Sequence, residues 1–130
     1  MKKNGLCLLV CFSLILSLAQ AQNTNQQLDT ALARKLGADD FGMKAYTFVI
    51  LKSGQNKTAR KAFKDSCFSG HMANIGKLAA AKQLVVAGPF LKNEADFRGL
   101  FILNVKTIEE ANALLATDPA IKAGFLKAEI

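Results

Sequence analysis

The stretch Ala45-Tyr46-Thr47-Phe48-Val49-Ile50-Leu51 decides the architecture. It is rich in β-branched and aromatic residues, and Ser53-Gly54-Gln55-Asn56 follows it as a turn, the pattern of a β-strand. Successive residues of a strand face opposite sides of the sheet, so Tyr46, Phe48 and Ile50 point one way and Ala45, Thr47, Val49 and Leu51 the other. Both sets are largely apolar. A sheet containing this strand needs cover on both faces.

Working outward, residues 58–82 read as a helix, residues 84–90 (LVVAGPF) as a second strand and residues 99–105 (GLFILNV) as a third, after a polar loop at 92–96. Gly70 and Gly76 weaken the helix by up to about 1 kcal/mol each relative to Ala. Either they permit close approach of the helix to the sheet or the helix begins near Ser69. Gly88-Pro89 ends or bulges the second strand, because proline has no N–H for the ladder. Thr107-Ile108-Glu109-Glu110 is a capping box that opens a second helix running to about Thr117, and residues 124–130 alternate as a last strand. The order βαββαβ specifies an α+β, ferredoxin-like fold: a four-stranded antiparallel sheet with two helices on one face. Those helices cover one side only. The other side, which carries one of the two sets of the first strand and either Leu100/Ile102 or Phe101/Leu103/Val105, is apolar, and its simplest cover is the same face of a second copy. The expected assembly is a homodimer with sheets packed face to face, a dimeric α+β barrel.

The other end of the chain has a different character. Lys2 and Lys3 precede an uncharged apolar run from Gly5 to Leu18, and Ala19-Gln20-Ala21 supplies small residues at a cleavage position. Residues 1–21 read as a secretory signal peptide, too short in their apolar part to span a bilayer, which implies an exported, periplasmic or secreted protein with no stable membrane insertion. A lipoprotein would need small residues before Cys11, where Leu9-Val10 stands. Residues 22–27 form a polar linker, and Leu28, Ala31, Leu32, Lys35 and Leu36 fall at the spacing of a short helix ended by Gly37. Asp39-Asp40 continue the linker, and the main domain occupies residues 44–130.

The full chain has 130 residues, with 17 Lys+Arg against 10 Asp+Glu. Loss of Lys2 and Lys3 with the leader lowers the net charge from +7 to +5, and loss of Cys7 and Cys11 leaves Cys67 alone, so an internal disulfide is excluded. The remaining cations are scattered and no basic-aromatic motif appears, which argues for a solvated surface rather than nucleic-acid binding, while still favouring an anionic small molecule. One His, one Cys and no spaced acidic cluster give no metal site. No P-loop, GxGxxG or GxSxG occurs, and no cofactor is expected.

His71, the only histidine, falls on the same helical face as Cys67, Asn74, Ile75 and Leu78, the face that should meet the sheet, whereas Lys77 points away. It is either a core histidine bonded to a carbonyl or a general acid/base. Asp118-Pro119 follows the second helix and suits the N-cap and first position of a short turn over residues 119–122. In this fold the two helices lie side by side, so Asp118 can also approach His71, orient the imidazole and raise its basicity. Cys67, four residues before His71, is either half of a thiolate–imidazole dyad or a small buried hydrophobe.

Gly70-His71-Met72-Ala73-Asn74-Ile75-Gly76-Lys77-Leu78, then Leu84-Val85-Val86-Ala87-Gly88-Pro89-Phe90, then Glu110-Ala111, Asp118-Pro119 and Gly124, resemble the YciI (YCII-related) family over about residues 44–130. The resemblance implies a ferredoxin-like domain of the dimeric α+β barrel group. It further implies enzymes carrying a His–Asp pair in a pocket, similar to small-molecule isomerases and to a dehydrochlorinase of muconate-type compounds. By position that pair is His71 and Asp118, with Cys67, Asn74, Gly88 and Pro89 as expected pocket residues. The function so implied is lyase- or isomerase-like proton transfer on a small, anionic organic molecule. The competing expectation is a dimeric binding or structural module in which the pair simply joins two helices.

Overall fold

A computed structural model describes residues 28–57 and 60–130, so the expected signal peptide, the linker at 22–27 and the expected helix start at Thr58 lie outside the described residues. The chain divides into two units, one ending at Met43 and one spanning Lys44–Ile130. In the first, helix α1 (Thr30–Lys35) is capped by the Asp29 carboxylate, which accepts from Leu32 N at 2.9 Å. Gly37, in the left-handed region at φ +74°, follows it.

The second unit runs β1 (Thr47–Ser53), α2 (Lys61–Ala80), β2 (Leu84–Pro89), β3 (Phe97–Leu103), α3 (Ile108–Leu115), α4 (Pro119–Lys122) and β4 (Leu126–Glu129). The sheet order is β2-β3-β1-β4 with every pairing antiparallel, the ferredoxin-like arrangement. The central β1–β3 ladder aligns Thr47 with Leu103 and Val49 with Phe101, so their side chains share a face. On that face Val49, Leu51, Phe101, Leu103 and Leu126 form one buried core with Cys67 and Leu78 of α2, Ala111 and Leu115 of α3, and Ala120 of α4.

Two readings that the sequence left open are decided by the fold, and a third stands as expected. The first helix reaches back to Lys61 despite Gly70 and Gly76, because Cys67, His71 and Leu78 bury one face continuously across both glycines. β2 ends at Pro89, as an edge strand tolerates, but its irregularity lies at Leu84/Val86 rather than at Gly88-Pro89. The short helix after Asp118 is an element of its own, with the Asp118 carboxylate accepting from Ala120 N at 2.8 Å and Ile121 N at 3.2 Å.

The opposite face of the sheet carries Phe48, 53% exposed, with Val86 exposed and Ile50, Leu100 and Ile102 half-buried. Toward β4 it becomes polar, where Lys52 pairs with Glu129 at 2.7 Å and lies over the Phe97 ring at 5.3 Å.

Candidate functional site

The centre of the site is a contact between two helices. His71 sits in the middle of α2 on the core side, and Asp118 is the cap of α4. Gly70 lies where α2 meets α4: a Cβ there would stand 2.8 Å from Pro119 Cγ, so only glycine admits this approach. The glycine therefore serves a helix–helix contact, not the helix–sheet contact expected from sequence. Gly76 faces open space.

At that closest approach His71 Nδ1 and Asp118 Oδ2 are 2.6 Å apart. Asp118 is 1% exposed and His71 9%. Burial pushes the Asp118 carboxyl upward, but the hydrogen bond and charge of His71, with the amides of Ala120 and Ile121, outweigh it and hold the group below its ordinary 3.8. An ionised carboxylate only accepts hydrogen bonds, so Nδ1 carries a proton and donates it to Oδ2. The imidazole is thereby fixed in one tautomer, with Nε2 as the nitrogen left to react. Its plane is set by Phe101, whose ring stacks at 5.9 Å, and by Phe68, edge-on at 6.2 Å.

His71 lines a cavity of about 380 Å³ between α2 and the β2–β3 side of the sheet. Gly88 and Pro89 line it as well. Cys67 and Asn74, expected there, do not. Cys67 is taken into the core cluster, and the Asn74 carboxamide accepts from Thr117 Oγ1 at 3.1 Å, a bridge from α2 to the end of α3. Cys67 is a free thiol and, with the imidazole committed to Asp118, has no hydrogen bond to His71 among the described residues.

Other cavity residues were not expected as lining. Phe68, three before His71, and Ile75, four after it and already read onto its face, were findable by helical spacing; Met72 is the next residue in the chain, and Phe101 lies on the helix-covered face of β3. Arg98, the one permanently charged residue lining the cavity, fell just before the expected strand start, and nothing local distinguishes it from the other scattered cations. Among the described residues no group of His, Cys, Asp and Glu is arranged to hold a metal ion, and no helix is long and apolar enough to cross a membrane.

The model of the YCII-related domain family matches residues 47–130. Among solved structures the chain is similar to 5-chloro-2-hydroxyhydroquinone dehydrochlorinase from Burkholderia phenoliruptrix, in complex with 2,5-dihydroxybenzoquinone, at 22% identity over 64% of this chain and 90% of that one, with a TM-score of 0.43. No curated protein matches the chain.

Proposed function

The chain belongs to the YCII-related domain family, and from that premise we propose that it is an acid/base enzyme acting on a small, anionic organic molecule by isomerisation or elimination. The observation that carries this proposal is the 2.6 Å bond that fixes Nδ1 of a buried histidine to an ionised carboxylate while the same ring lines an apolar cavity. Nε2 takes a proton from a substrate carbon or hydroxyl, and Asp118 stabilises the imidazolium that forms. Return of that proton to a neighbouring atom isomerises the substrate. Departure of a leaving anion from the adjacent carbon, with the electron pair of the broken C–H bond forming the new double bond, completes an elimination.

One observation favours a second, non-catalytic reading: the Asp118 carboxylate also caps α4, so its bond to His71 ties two helices together. A binding or structural module would use the pair in that way alone. His71→Gln separates the two. In the enzyme it abolishes turnover of unsaturated or halogenated cyclic acids while chemical denaturation changes little; in the module it lowers stability by about 1–3 kcal/mol and no turnover exists to lose.

The same proposal places the mature protein outside the cytoplasm as a homodimer. Residues 1–21 support the first part, and the apolar sheet face around Phe48, Leu100 and Ile102 supports the second. N-terminal sequencing that returns Met1 from the mature protein would overturn export.

A further inference from the structure

A second, smaller cavity of about 150 Å³ adjoins the one that His71 lines, and the two share Phe68, Arg98 and Leu126 as walls. The two differ in character. The larger is walled almost wholly by aliphatic and aromatic side chains, whereas the smaller is lined by Lys57, Lys64 and Arg98 together with Ser53 and Asn56. Neither is lined by a carboxylate.

The polar side chains of the small cavity divide into two groups. Ser53 Oγ donates to Asp96 Oδ1 at 2.9 Å and Asn56 Nδ2 donates to Ala123 O at 2.8 Å, so both are committed to the fold. Lys57, Lys64 and Arg98 form no ion pair among the described residues, although Lys52, Lys61 and Lys127 all do. Lys64 Nζ lies 6.0 Å from the centroid of Phe68, itself a shared wall. These three cations around one small concavity, offset there only by Asp96 on Ser53, concentrate positive potential, and Arg98 lines both cavities. Its planar fork matches the two oxygens of a carboxylate.

We propose that the small cavity anchors the carboxylate of the substrate, with Arg98 and Lys64 as the holding residues, while the unsaturated ring or chain of the same molecule lies in the larger cavity against His71. This rests on the acid/base reading of His71 and specifies its substrate class: a cyclic or unsaturated organic acid rather than a neutral phenol or quinone. Arg98 is thus a specificity residue, and its loss raises KM for an acid far more than it lowers kcat.

Benzoate, its neutral analogue benzamide and inorganic phosphate, each titrated into the mature chain with the His71 imidazole followed by NMR, test this. Benzoate is expected to shift the His71 signals saturably, with at least about tenfold weaker binding in Arg98→Gln and a further loss in Arg98→Gln with Lys64→Gln. Arg98→Lys should recover part of the affinity, and benzamide should bind more weakly than benzoate by a similar factor. Arg98 is exposed, so these variants are expected to fold, and matched thermal unfolding checks it. Equal binding of benzoate and benzamide, benzoate affinity indifferent to Arg98→Gln, or no saturable shift of His71 up to about 10 mM benzoate overturns the anchor. So does phosphate binding at Lys64 and Arg98 that never competes with benzoate. Failure of the acid/base reading looks different: benzoate then binds in an Arg98-dependent manner, yet His71→Gln changes no turnover of any acid that binds.

Discussion

Gly70 of α2 lies against the ring of Pro119 in α4, with 2.8 Å between Pro119 Cγ and the position a Cβ would take. The adjacent residue on each side is a member of the buried pair, His71 after Gly70 and Asp118 before Pro119. The closeness of the two helices thus sets the length of the His71–Asp118 bond. Gly70→Ala gains about 1 kcal/mol of helix propensity but forces the helices apart, at a cost of about 1–3 kcal/mol. The expected net result is a loss of stability of up to about 2 kcal/mol in urea titrations, accompanied by movement of the His71 imidazole signals. A stabilised variant with unchanged His71 signals would contradict this account of the contact.

Asp118 has two tasks that different substitutions separate. Asp118→Ala removes both the cap and the histidine's partner, and about 2–4 kcal/mol of unfolding free energy should go with them. Asp118→Asn can keep its carbonyl oxygen on the Ala120 and Ile121 amides. Its NH2 group then meets Nδ1, which must become an acceptor, so the proton moves to Nε2 and the proposed base has no lone pair toward the cavity. Turnover should fall by about 10²–10⁴-fold with a much smaller loss of stability than in Asp118→Ala.

The ionisation of Asp118 gives this pair a pH signature. Its carboxyl in the folded chain lies below 3.8, so on acidification the unfolded chain takes up the proton first. The stability contributed by the ionised group is complete above the unfolded value and disappears as pH falls through the folded one. Wild type should therefore exceed Asp118→Asn at about pH 5, and the two denaturation curves should converge as pH falls below about 4. A margin that grows as pH falls from about 5 to about 3 would refute the assignment.

Phe48 marks the sheet face that no helix of its unit covers. In a face-to-face dimer Phe48→Lys places a charge at the centre of the apolar interface. Sedimentation at micromolar concentration should give twice the chain mass for the wild type and one chain mass for the variant, with circular dichroism unchanged. A wild type that sediments as a single chain would end the dimer proposal.

The elements of the main unit were legible because each depends on local chemistry. Residues 45–51 alternate two apolar sets, Thr107 and Glu110 cap each other across three residues, and Asp118-Pro119 favours the start of a helical turn. From these the order βαββαβ follows, and so does the helix face that carries His71. What local chemistry does not contain is distance between elements. That Asn74 is spent on Thr117 and Cys67 on the core, that Gly70 meets Pro119 rather than the sheet, and that Arg98 stands at the junction of two cavities are all consequences of how α2, α4 and β3 pack. Side-chain periodicity sets which way a residue points. Only close packing of elements far apart in the chain determines what it meets, and in this protein that placed one histidine among scattered cations in a bond to a buried carboxylate, next to a recess lined by Lys57, Lys64 and Arg98.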